Sequence, residues 1–169
     1  MANSQLGVLG QMHSVIRGMG RKAINSDYSC SIEGFEDLWA LTKQCPFPYS
    51  GSAGEIEVAG PLGSAMWERQ QNKTAKQGTI TFMETNEHRI DQAMRSMIAQ
   101  SGEQGGWFNI KVFHGVPNKH IGGKILVDCF FVPDDLDTDW ENRSQLLTVT
   151  GQLFYHYYGE DIPANSPTL

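Results

Sequence analysis

The chain has 169 residues, with 13 Lys plus Arg against 19 Asp plus Glu, a formal net charge of −6 and 40% hydrophobic residues. A chain of this length buries roughly 70% of its unfolded surface as one domain, with no need of a disulfide or metal, and its acidic balance disfavours a surface that grips phosphate or anionic lipid. Its basic residues are scattered and no stretch approaches the ~20 apolar residues of a membrane span, which argues against a nucleic-acid reader and a membrane anchor.

Residues 1–26 carry Gly7, Gly10, Gly18 and Gly20, and each glycine costs about 1 kcal/mol against alanine in a helix, so the segment reads as an extended N-terminal arm. Its Leu6, Val8, Leu9, Val15, Ile16 and Met19 need a surface to lie on, in the same domain or on a neighbouring copy. The segment lacks the basic start and unbroken apolar run of a signal peptide. From Tyr28, alternation of Tyr28, Cys30 and Ile32 with Ser29, Ser31 and Glu33 predicts a strand, "EGFED" turns the chain, and "LWALTKQC" at 38–45 reads as the partner strand of a hairpin. The prolines and glycines of "PFPYSGSAG" end that ladder.

Residues 50–77 keep neither helical nor strand period and read as a long irregular loop. It nevertheless holds Ile56, Val58, Leu62, Met66 and Trp67, and apolar residues in a loop with no core of its own point to a surface met by another subunit. "GTITFME" at 78–84 returns to strand. In the following "TNEHRIDQAMRSMIAQSG", Ile90, Ala93, Met94, Met97 and Ile98 recur at helical spacing and predict a helix over 87–101, with Asn86 as its N-cap, Glu87 at its positive end and Gly102 as its stop. Strands follow at 107–113, at 124–132, where an apolar run suggests cover on both faces, and at 146–158. Pro133 and the acidic "DDLDTDWENRSQ" separate the last two, and residues 161–169 read as a mobile tail. The expected fold is mainly β: an antiparallel sandwich or barrel over residues 27–160 with one flanking α-helix.

The chemistry-bearing residues assemble into nothing. Asp135, Asp137 and Asp139 have calcium-loop spacing, but the positions that should hold Gly and a bidentate Glu are Trp140 and Leu146. His13, His88, His114, His120 and His156 lie in separate segments without zinc-type pairing. Cys30, Cys45 and Cys129 are odd in number and widely spaced, as small apolar residues of a protein made in a reducing cytoplasm are. No nucleophile elbow or phosphate-binding glycine signature occurs, so no catalytic, cofactor or metal residue is assigned. One alternative is a small ligand-binding β-barrel whose cavity is lined by Trp39, Trp107 and the cluster from Tyr155 to Tyr158.

Three stretches, "DYSCSIEGFEDLWALTKQCPFP", "QGTITFMETNEHRIDQAMRSMIAQ" and "KILVDCFFVPDDLDTDWENRSQLLTVTGQLFYHYYGE", in this order with the loop between the first two, resemble the major tail tube protein of contractile-tailed bacteriophages, related to R-type pyocin and type VI secretion tubes. The resemblance implies a virion subunit, made in the host cytoplasm, of which six copies close a ring, and rings that stack into a hollow tube inside a sheath and upon baseplate tube proteins. It implies that the loop with Ile56, Val58, Leu62, Met66 and Trp67 reaches a neighbouring subunit, that the helix faces the sheath, and that Thr148, Thr150 and Gln152 of the last strand face the lumen. DNA would pass without specific binding, since six copies at −6 sum to about −36 per ring and repel phosphate at short range. A baseplate or tail-terminator ring of the same fold is the close variant.

Overall fold

The computed structural model describes residues 2–100 and 106–167. Its main sheet is antiparallel and follows the order β1 (Tyr28–Ile32), β6 (Phe108–Val116), β7 (Lys119–Pro133), β8 (Thr148–His156), β5 (Ala75–Met83) and β2 (Thr42–Gln44), with the short β9 (Asp161–Ile162) added to β7. Alternation along these strands sends one set of side chains inward: Cys30 and Ile32, Ile110 and Val112, Leu126 and Cys129, Leu153 and Tyr155, Ile80 and Phe82 are all buried in one core. Each large member that leaves water contributes about 1.5–3 kcal/mol, which is why the sheet curls around them. Leu38, from a 3-10 turn over Glu36–Leu41, and Ile90, Ala93 and Met97 of the flanking helix α2 (Arg89–Gln100) complete the cluster.

Two local features shape the sheet. At Asp128 the backbone turns left-handed (φ 49°), its N–H donates to Asn109 Oδ1 at 3.2 Å, and the pairing register of β7 slips against both β6 and β8. This bulge bends β7, whose later residues, Val127 to Pro133, pair with β8. The proline-rich segment after β2 crosses the sheet, where Lys124 of β7 donates to Pro48 O at 2.6 Å and lies 5.0 Å from the ring of Phe47 and 4.7 Å from that of Tyr49.

Several sequence expectations are corrected. Residues 28–45 do not form a hairpin: β1 pairs with β6, β2 pairs with β5, and "EDLWAL" is a 3-10 turn, whose three-residue period sends Leu38 and Leu41 together toward the core and leaves Trp39 exposed. The segment 50–77 is not irregular, since β3 (Glu55–Ala59) and β4 (Ala65–Arg69) form a second, two-stranded sheet closed by a 3-10 turn at Pro61–Gly63, and β5 already begins at Ala75. The N-terminal arm is not extended but forms helix α1 (Ala2–Gly18), ended by Gly20 at φ 85°. Its glycines fall away from a stripe of Val8, Leu9, Met12, Val15, Ile16 and Met19, so helical spacing prevails over glycine content.

Helix α2 starts two residues later than expected, and its cap is not Asn86. Glu84 Oε1 accepts from the N–H of Thr85 at 2.9 Å and of Ile90 at 3.0 Å, while Oε2 accepts from Asp91 at 3.1 Å, so one carboxylate at the end of β5 closes the strand-to-helix corner. The expected stop at Gly102 lies outside the described residues, and Ile98, expected on the buried stripe, is exposed. β7 is longer than expected and only one of its faces is covered, with Val132 open to solvent. The C-terminal segment is tied down rather than loose: β9 pairs with Gly123 and Lys124, and Asn165 Oδ1 accepts from His120 N at 2.7 Å while Asn165 N donates to His120 O at 3.1 Å.

Candidate assembly interface

All ten strand residues of the β3–β4 hairpin are exposed. The register pairs Ile56 with Glu68, Glu57 with Trp67 and Val58 with Met66, so Ile56, Val58 and Met66 share one face and Trp67 lies on the other. Leu62 sits at the tip in the left-handed region (φ 59°) with its whole side chain in solvent. The five residues expected at a subunit contact are thus distributed over both faces and the tip of one projection. A two-stranded hairpin with no covering layer is marginal in water. Its root is fixed by Ser52, whose hydroxyl oxygen lies 2.6 Å from Gly54 O and 3.0 Å from Gln70 O, so its one proton is shared between the two carbonyls.

The second set of expected residues lies on the sheet face turned away from the core. Thr148, Thr150 and Gln152 are half-buried and alternate with Val149, Gly151 and Leu153, which face inward. Across the β5–β8 ladder Thr150 pairs with Thr81 and Gln152 with Thr79, and the side chains meet: Thr81 Oγ1 and Thr150 Oγ1 are 3.2 Å apart, and Gln152 Nε2 donates to Thr79 Oγ1 at 3.4 Å. Thr79 and Thr81 are members of this face that sequence reasoning did not assign. Their alternation with Ile80 was the available signal, but only the register joins them to β8. Among the alternate positions that β5 and β8 give this face, from Ala75 to Met83 and from Thr148 to His156, no carboxylate or ammonium occurs, so the acidic excess of the chain lies elsewhere.

Further along the same face the character changes from hydroxyl to aromatic. Phe154 stacks on Phe130 with ring centroids 4.9 Å apart, and Trp107 meets Phe130 edge-on at 5.4 Å. Nothing in the strand pattern announces this row, because the bulge at Asp128 sets which β7 residue stands beside Phe154.

The titratable groups of the described residues do not gather into one cluster. Among the described residues no three His, Cys, Asp or Glu side chains converge as a metal site would require. Burial pushes the Cys129 thiol up to about 12. A hydrogen bond to Cys30, together with burial, holds the Cys45 thiol far above its usual value; Cys129 is buried in the core and Cys45 packs half-buried against it, and neither carries the lowered pKa of a reactive thiol. The residues expected to line a ligand cavity do not share one. Tyr155 and Tyr157 are packed in the core, Tyr158 is exposed, Trp39 lies beside Tyr28 and Val116, and Trp107 borders a separate open cleft of about 410 Å³ with Met94, Met97, Phe130 and Pro133.

No protein-family model matches the sequence, and no curated protein matches it. Solved structures share its fold. A chain of the sheath-tube complex of the extracellular contractile injection system PVC in its extended state has a TM-score of 0.54 at 10% identity, covering 83% of this chain and 90% of that one. The tube-terminating cap of the anti-feeding prophage AFP gives 0.52 at 11% identity, over 82% of this chain and 89% of that one. The AFP baseplate gives 0.51 at 13% identity, over 86% and 99%. The fold is therefore that of tail-tube-like proteins: a mainly antiparallel β domain with α2 at its flank.

Proposed function

We propose that this chain is a structural subunit of a bacteriophage-type tail tube, with six copies closing a ring and rings stacking around a channel that DNA crosses. The observation that carries the reading is the β3–β4 hairpin, which presents Ile56, Val58, Met66, Trp67 and Leu62 to solvent from a domain whose own core is already complete. On a tail-tube-like fold, such a projection fits the surface of a neighbouring copy. Thr148, Thr150 and Gln152, with Thr79 beside them, form the channel wall in this reading, and the buried Thr81 braces Thr150 from beneath through its hydroxyl. Their uncharged hydroxyls and amides offer phosphate no counter-charge to hold it, so the wall sheds DNA by neutrality, with the carboxylates placed elsewhere on the ring.

The exposed side of α2 meets the sheath, the first and last rings meet baseplate and terminator proteins, and the finished particle is a virion tail assembled from protein made in the host cytoplasm. The chain acts through assembly and takes no part in bond chemistry. A baseplate or terminator ring would use the same domain once per particle instead of many times. Electron microscopy of the purified protein in negative stain, beside native mass spectrometry, tests the reading. Hollow tubes or hexamers support it, single rings that never stack support the terminal-ring variant, and a monomer that persists in the presence of a baseplate extract overturns both.

A further inference from the structure

Helix α1 and the loop between β7 and β8 are opposite in charge and alike in exposure. Residues 1–26 contain Arg17, Arg21 and Lys22 and no acidic residue, whereas residues 134–147 contain Asp134, Asp135, Asp137, Asp139 and Glu141 against the single Arg143. The arm exposes Val8, Leu9, Met12, Val15, Ile16 and Met19 along one stripe, and the loop exposes Leu136, Trp140 and Leu146. Among the described residues none of the arm's basic side chains and none of the loop's carboxylates forms an ion pair.

The two elements leave the domain from opposite ends. Asp27, the last residue before β1, accepts from Gly115 N at 2.7 Å, beside the β6–β7 turn, while Asp134 donates to Thr150 O at 2.9 Å at the far end of β7. Between those points run the 15 residues of β7, about 45 Å of strand before the bend at Asp128 shortens it. All described side chains of α1 are in solvent, so the helix does not lie on its own domain. A surface carried at one end that complements a surface at the other is a heterologous pair, and it closes only between copies set head to tail.

We propose that α1 of one copy docks on the acidic 134–147 loop of the next copy along the stack, with the stripe from Val8 to Met19 against Leu136, Trp140 and Leu146 and with Arg17, Arg21 and Lys22 facing the aspartates. The inference rests on the tube reading and assigns it an axial contact distinct from the β3–β4 hairpin. The glycines of α1 weaken it as an isolated helix, so docking also supplies the stability its sequence lacks.

The test is a charge swap in the full chain, read as the critical concentration for tube growth by light scattering and microscopy. Arg17→Glu, Arg21→Glu and Lys22→Glu together, or Asp135→Lys, Asp137→Lys and Asp139→Lys together, should each raise that concentration by about tenfold or more and leave the melting temperature unchanged. Combining both triples in one chain should bring it back toward the wild-type value, because each arm then meets a reversed loop. Growth of either triple variant at the wild-type concentration, or a combined variant no better than the single triples, overturns the docking while leaving the tube reading in place. A wild-type chain that forms neither rings nor tubes overturns both.

Discussion

Trp67 offers the sharpest perturbation of the proposed assembly. It is 68% exposed, and its cross-strand neighbour in the hairpin is Glu57, so its indole has no role in the core. A tryptophan presents up to about 250 Å², so its exposed part is about 170 Å², and burial against a neighbouring subunit at ~25 cal/mol per Å² is worth about 4 kcal/mol. Fixing the side chain gives back about 1 kcal/mol, which leaves a loss of roughly a hundredfold in subunit affinity for Trp67→Ala. In the isolated domain the same change should cost less than about 0.5 kcal/mol. Urea denaturation of the dilute subunit and analytical ultracentrifugation over a concentration series measure the two quantities on one preparation. A variant that assembles at the wild-type concentration, or one whose domain unfolds markedly earlier, refutes the assignment of Trp67 to the interface.

Three further outcomes follow from the packing. Glu84→Ala removes the acceptor for the N–H of Thr85 in the corner and for those of Ile90 and Asp91 at the head of α2 and should cost about 2 kcal/mol in urea denaturation, with Glu84→Gln losing less because one oxygen still accepts. Gly151→Ala would set its Cβ 2.3 Å from Val132 O and 2.7 Å from the Phe131 ring, between β7 and β8, and should destabilise the fold by about 3 kcal/mol or prevent soluble expression. The Cys129 thiol is raised from 9.0 to about 12 by burial, so its contribution is fully present below pH 9 and is lost as pH rises from there through 12. The melting temperature should fall across that window, and Cys129→Ala should flatten the fall; an unchanged slope would show that other groups, such as the buried tyrosines, govern it.

The sequence made the strands legible wherever a solvated and a buried face alternate, as in Thr79, Ile80, Thr81 and Phe82, and made α2 legible through its 3.6-residue stripe. Pairing was less accessible. The hairpin expected at 28–45 failed because neighbours in sequence need not pair, and only the closure of the whole sheet assigns β1 to β6 and β2 to β5. The β3–β4 hairpin was missed because its alternation is short: Glu55, Ile56, Glu57 and Val58 alternate over a single strand, while the Ala65, Met66 and Trp67 run of β4 does not, and neither face is buried in the subunit. The tail at 161–169 was underestimated for a different reason: Asn165 anchors it through hydrogen bonds to backbone groups of His120 and Asn118, and such bonds leave no hydrophobic trace. Alternation in the last strand put Thr148, Thr150 and Gln152 on one polar face, and only the family resemblance gave that face a role, whereas joining Thr79 and Thr81 to it required the register.

The attachment of β1 bears on how this domain would carry load. Five successive residues of β1 are paired with β6, from Tyr28 opposite His114 to Ile32 opposite Ile110, and Ser29 Oγ adds a bond of 2.6 Å to Gly115 O. A pull on the N-terminal helix directed along β1 would strain these bonds together, in shear, whereas a pull across the strand would open them one after another from Tyr28. The same few residues would then be tough toward traction along the strand and yielding toward peeling.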